Sequence, residues 1–173
     1  MKRGGKAQKL DIILHYEWSV MLNSAYLTGR QLDIWEMHRD GLSFAEIGRR
    51  IDATRQAAYD ALNIALGKVD SALRHAAEAN MVDVRYIDPR NGVLLGVLPQ
   101  NSKRVIITFS RRHGVQTWHY EEPDCPGCEW ADRCRSRLID EAGERDIELT
   151  EEERGLSPSK LAHVIFSRLI PGL

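Results

Sequence analysis

Nothing in this 173-residue chain provides a disulfide framework: its three cysteines all lie between positions 125 and 134. A bridge-stapled secreted scaffold is thereby excluded, and clustered thiols point instead to metal or redox chemistry in a reducing compartment. No apolar run approaches the roughly 20 residues that a membrane-spanning helix needs. The opening MKRGGKAQKL has basic residues without an apolar core, so the expectation is no secretory signal, a cytoplasmic location and no membrane partner. An excess of one charge sign is lacking too. Net charge is −1, which excludes nucleic-acid binding driven by bulk charge alone. There is no P-loop, no G-x-G-x-x-G and no C-x3-C-x2-C run, and no acidic pair has a partnered His or Ser. The expectation is a protein without enzymatic activity.

What is present is enough apolar residue (43%, against 28% charged) for a globular fold with one sizeable core or two small ones. Apolar residues at helical spacing run from Leu10 to Tyr26, including Leu14, Trp18 and Leu22. Thr28 then caps a helix over 29–39 that stops at Asp40-Gly41. Ser43 with Glu46 forms a capping-box pattern for a helix to about Ile51. Thr54 caps a long helix to about Asn80, with Ala58, Leu62, Ala65, Val69 and Leu73 on one face.

The pattern changes at Met81. Alternating residues predict strands over 82–87 and 93–98 around the turn Pro89-Arg90-Asn91-Gly92. A second hairpin spans 105–109 and 115–120 across 111–114. A helix is expected over 129–142, an acidic connection over 143–155, and a last helix from Ser157-Pro158 to about Ile170. The fold class is therefore α+β. An all-helical unit over 1–81 precedes a unit over 82–173 with a small antiparallel sheet, a metal-binding segment and C-terminal helices.

The positions Leu27-Thr28-Gly29-Arg30-Gln31, Ile34-Trp35, Gly41-Leu42-Ser43, Glu46-Ile47-Gly48, Thr54-Arg55-Gln56 and Ala65-Leu66-Gly67-Lys68-Val69 carry a resemblance. Over residues 27–75 the chain resembles the helix-turn-helix of sigma-70 region 4 and LuxR-type regulators, and looks closest to archaeal Tfx-like regulators. The resemblance implies a transcription regulator that binds double-stranded DNA. The physics of the residues agrees. Ala45 and Gly48 are small where two helices approach, and Ile47 and Ile51 point inward. Thr54 caps a recognition helix whose first turn enters the major groove. Arg55 and Gln56 then reach base edges, Arg suiting guanine and Gln adenine. Tyr59 and Asn63 lie further along the exposed face, and Arg49 and Arg50 suit phosphates. The same unit can instead be an adaptor that binds RNA polymerase or another protein. Useful specificity needs paired half-sites, so a homodimer is expected, with 10–26 and 157–170 as candidate interfaces.

Cys125-x2-Cys128-x5-Cys134 places three thiolate donors together, with His119 five residues before the first. The run resembles the cysteine runs of FNR and WhiB-like iron–sulfur regulators, and part of the SoxR run. Those families supply a further cysteine; here there is none. The three thiols would hold three irons of a 4Fe–4S cluster. His119 is the candidate fourth ligand, since IscR-type regulators combine three cysteines with a histidine; His113, Glu122, Asp124 or an exogenous group are alternatives. The rival is a structural zinc site of Cys3His type. Trp118 and Trp130 flank the run and would exclude solvent from a cluster. The combined expectation is a DNA-binding regulator sensing redox or iron–sulfur status, or else a zinc-stabilised DNA-binding protein.

Overall fold

The computed structural model describes residues 26–120, 125 and 127–173. The expected helix at 10–26 lies outside these, apart from Tyr26. Among the described residues there are six helices and one four-stranded antiparallel sheet. The helices are α1 (Gly29–Arg39), α2 (Phe44–Arg50), α3 (Arg55–Ala79), α4 (Ala131–Gly143), α5 (Glu151–Arg154) and α6 (Pro158–Ser167). The strands β1 (Asp83–Asp88), β2 (Val93–Val97), β3 (Arg104–Ser110) and β4 (Gly114–His119) form a meander in sequence order. The mixed helix-and-sheet class expected from sequence is present. The acidic stretch 143–155 holds one extra turn, α5, because Thr150 and Glu153 make a reciprocal capping box. No described helix is long and apolar enough to cross a membrane.

The caps read from sequence hold the helical part. Thr28 with Gln31 and Ser43 with Glu46 both close capping boxes, and Thr54 Oγ1 accepts from the Ala57 amide at 3.1 Å. Each satisfies amides that would otherwise lack partners.

The sheet is sandwiched between helices. Strand β3 is buried from Val105 to Ser110, because both of its faces are covered. Val105, Ile107 and Phe109 face α1 and α3, where Trp35, Val69 and Leu73 meet them. Ile106 faces the other way, into a core with Leu138 of α4 and Leu161, Ile165 and Phe166 of α6. A continuous apolar run, rather than strict alternation, is what two-sided burial demands. The edge strand β1 is more exposed, and its pairing with β2 slips between Val84 and Tyr86. Such a bulge blunts an open edge. The core between α3 and the sheet runs across position 81/82, where helix gives way to strand. The apolar face of α6, expected as a candidate dimer surface, is buried inside the chain.

Two hairpin turns tie the layers together. Gly92 sits at φ +62°, and a Cβ there would lie 2.5 Å from the Phe109 carbonyl and 3.0 Å from Trp35. Only glycine allows this approach. Near the end of α4, Glu144 accepts from the backbone amides of Arg111 and Arg112, each at 2.9 Å. Arg145 donates to the carbonyls of Asn91 and Phe109, each at 3.0 Å.

Candidate nucleic-acid interface and thiol cluster

Helices α2 and α3 meet across the turn 51–54. The Ala53 amide donates to the Gly48 carbonyl at 2.8 Å, and Asp52 takes φ +52°. A Cβ at Gly48 would stand 2.8 Å from the Ala53 carbonyl oxygen, so this glycine is required by backbone approach. Ala45, expected at the same close contact, is exposed. The helices touch instead through Ile47, Ala58 and Leu62, with Ile34 of α1 completing the cluster. Ile51, expected to point inward, is half-buried. Arg30 of α1 donates to the Ile51 carbonyl at 2.9 Å and so braces the turn.

Around this turn the sequence-predicted contact residues are all exposed: Arg49, Arg50, Thr54, Arg55, Gln56, Tyr59 and Asn63. They surround the capped start of α3, where amides and helix dipole favour negative charge. Tyr59 is 45% exposed and packs edge-on against Phe44 of α2, with ring centroids 5.3 Å apart. His38 stacks on Phe44, with ring centroids 5.9 Å apart. The His38 pKa is lowered, first by burial and then by the charge of Arg90, which also donates to the His38 carbonyl at 3.2 Å. Glu46, bonded by Ser43, is held below the usual carboxylate range.

Asp60 and Ile64, in the same first three turns of α3 as the expected contact residues, were passed over by sequence reading. Ile64 is 55% exposed, and Asp60 accepts from Gln56 Nε2 at 3.0 Å. A plain helical-periodicity count would have placed Asp60 on the outward face.

The cysteine segment leads into α4. The Cys128 amide donates to the Cys125 carbonyl at 3.3 Å, and the Cys134 amide to the Trp130 carbonyl at 2.9 Å. Cys125 is buried, Cys128 exposed and Cys134 half-buried in the first turn of α4. The Cys134 pKa is raised, first by burial and then by the charges of Cys128 and Cys125, while Arg137 and Arg133 act in the opposite sense. Three thiols within one short segment are the kind of donor that a thiophilic metal or an iron–sulfur cluster takes once they are deprotonated. Among the described residues, no group of three or more His, Cys, Asp or Glu side chains is arranged to hold an ion.

His119 is exposed at the end of β4, opposite Val105 in the ladder. Paired residues share a face, so His119 lies on the α3 side of the sheet. Trp118 and Tyr120, its neighbours, belong to the opposite core, against which α4 packs. The chain between His119 and Cys125 passes through 121–124, outside the described residues. His113 is bonded through Nε2 to Asp140 at 2.9 Å. Trp118 is half-buried against Phe166 and donates to Thr108 Oγ1 at 3.0 Å. Trp130, expected to exclude solvent from the thiols, is 51% exposed, with the Arg133 guanidinium 5.2 Å over its ring. The structure also brings a second histidine to the α4 side, His163 of α6, bonded through Nδ1 to the Tyr120 hydroxyl.

No protein family, curated protein or solved structure matches this chain.

Proposed function

We propose that this chain is a DNA-binding transcription regulator, acting as a homodimer on double-stranded DNA. Its cysteine segment binds a metal centre that reports redox or iron–sulfur status. The observation that carries the reading is the ring of exposed Arg49, Arg50, Arg55, Gln56, Tyr59 and Asn63 around the Thr54-capped start of α3. Arginines at the rim suit phosphates, and Arg55 and Gln56 suit base edges. Cys125, Cys128 and Cys134 would hold the metal centre, with His119 as the proposed further ligand. A 4Fe–4S cluster there would supply reversible one-electron chemistry and oxidant sensitivity.

The packing also supplies a path from thiols to DNA-facing helices. Helix α4 carries Cys134 near its start, and Glu144 and Arg145 follow its end. Those two bind both hairpin turns, and the turns in turn bind α1: Arg90 reaches His38, and Arg111 pairs with Glu36 at 3.1 Å. Loss of the metal centre would loosen the start of α4 and shift DNA affinity by about 1–3 kcal/mol, the usual size of allosteric coupling.

Exposed Ile64 on α3 favours a second reading, an adaptor that docks a protein such as RNA polymerase. Salt dependence separates the two. DNA binding through several phosphates weakens steeply with salt, and docking through an apolar residue such as Ile64 does not. Anaerobic purification with an absorption spectrum and metal analysis tests the metal centre. Titration of a randomised duplex library at several salt concentrations tests the DNA role. Stoichiometric zinc without visible absorption would replace the redox reading by the zinc-stabilised one, and a chain that binds no duplex would remove the DNA role.

A further inference from the structure

At about 100° per residue, Gln56, Asp60 and Asn63 fall within about 60° of one another on α3. They lie opposite the buried Ala58, Leu62 and Ala65, at the middle of the outward face. Arg55 and Tyr59 stand to one side of them. An acid at the middle of a groove-facing surface needs a physical reason, because DNA phosphates repel it.

Gln56 Nε2 donates to Asp60 Oδ1 at 3.0 Å. A carboxylate only accepts, so the amide atom turned toward it is the NH2 group. That leaves the Gln56 Oε1 acceptor unused by Asp60. We infer that Gln56 and Asp60 form an acceptor pair that reads the exocyclic amino groups of adenine or cytosine in the major groove. The inference rests on the DNA-binding reading above and names the base chemistry of that same surface. Among base edges in the major groove, only adenine N6 and cytosine N4 donate; guanine and thymine present acceptors there. With one amide N–H taken by Asp60 and a carboxylate beside it, the pair favours adenine and cytosine over guanine and thymine on the strand it faces. Arg55, which only donates, takes the complementary role toward guanine. Asp60 is in this account a specificity-determining residue, and the fixed amide of Gln56 is its consequence.

The test is selection from a randomised duplex library with the full chain, followed by affinity measurements on the selected site. Wild type enriches adenine or cytosine at one or two adjacent positions beside a guanine. Replacing that adenine by purine, which lacks the amino group, weakens binding about tenfold. In Asp60→Asn the amide pair can turn either way, so the enrichment broadens and the purine penalty shrinks. Affinity for random duplex rises, because one negative charge is gone. Asp60 is exposed, so thermal melting of the variant should match wild type. If Asp60→Asn keeps the same enriched base and the same purine penalty, the inference is overturned and Asp60 is a solvated acid. If wild type enriches no sequence at all, base reading by this surface fails, and the inference fails with it.

Discussion

The indole N–H of Trp35 donates to the Pro89 carbonyl at 2.9 Å, joining α1 to the β1–β2 turn across 54 residues of sequence. Trp35 is fully buried and meets Phe109 of β3 edge-on at 5.4 Å. One side chain thus closes the contact between α1 and the sheet. Trp35→Ala should remove about 3–5 kcal/mol of stability, while Trp35→Phe should lose roughly 1 kcal/mol for the hydrogen bond plus a packing term. Urea unfolding followed by both far-ultraviolet circular dichroism and tryptophan fluorescence checks this. Since the two parts share a core, both probes should report one transition in wild type; separate transitions would contradict the shared core.

Arg145 and Glu141 form an ion pair at 2.7 Å whose side chains are 1% and 0% exposed. The guanidinium also bonds the Asn91, Phe109 and Glu141 carbonyls. Glu141 Oε1 is buried without a hydrogen-bond partner. Arg145→Met should destabilise by about 3–5 kcal/mol, because a buried carboxylate loses its partner. Adding Glu141→Leu should restore part of the loss, since the uncompensated charge is then gone. A double-mutant cycle by chemical denaturation measures the coupling.

The lowered His38 pKa sets a pH dependence. The folded chain releases the His38 proton at a lower pH than the unfolded chain does. Between the two values the unfolded state holds more protons, so stability rises with pH there. This contribution is fully present above the ordinary histidine value of about 6.5 and is lost as pH falls from there through the lower folded-state value. His38→Phe should keep the ring contact with Phe44 and flatten the stability curve below about pH 6.5. An unchanged slope in the variant would assign the dependence to other groups.

Thiol reactivity should follow exposure and pKa. Cys128 is exposed, Cys125 is buried, and the Cys134 thiol is pushed up by burial and by its neighbours' charges. Iodoacetamide acting on metal-free protein should label Cys128 first, and Cys134 labelling should accelerate as pH rises. A bound metal should protect all three together. Mass spectrometry of timed samples reads the order, and protection of one cysteine alone would argue against a shared ligand.

Arg55→Ala should cost about 1–3 kcal/mol on a selected DNA site and much less on random duplex. Fluorescence anisotropy on both probes measures it. Equal loss on both would make Arg55 a phosphate contact.

The sequence by itself determined the local structure within the described residues. Thr28, Ser43 and Thr54 announced their helices because capping is settled by side chains within one turn. The Pro89–Gly92 turn and the alternation around it announced the first hairpin, because pairing across a short turn is local too. Much of the candidate site was legible for the same reason: exposure of Arg55, Gln56 and Tyr59 follows from helical period alone. Ala45 was misread because a small residue can mark either a close contact or an indifferent surface, and only Gly48 meets backbone. What only the tertiary structure decided are contacts between groups far apart in the chain. These include Trp35 with Pro89, Arg145 with the Asn91 and Phe109 carbonyls, Trp130 left in solvent, and His119 turned to the α3 face while α4 packs on the other. Such placements depend on which face of the sheet each helix covers, and no local propensity encodes that choice. Burial on both sides of β3 does, and it exists only once the layers have assembled.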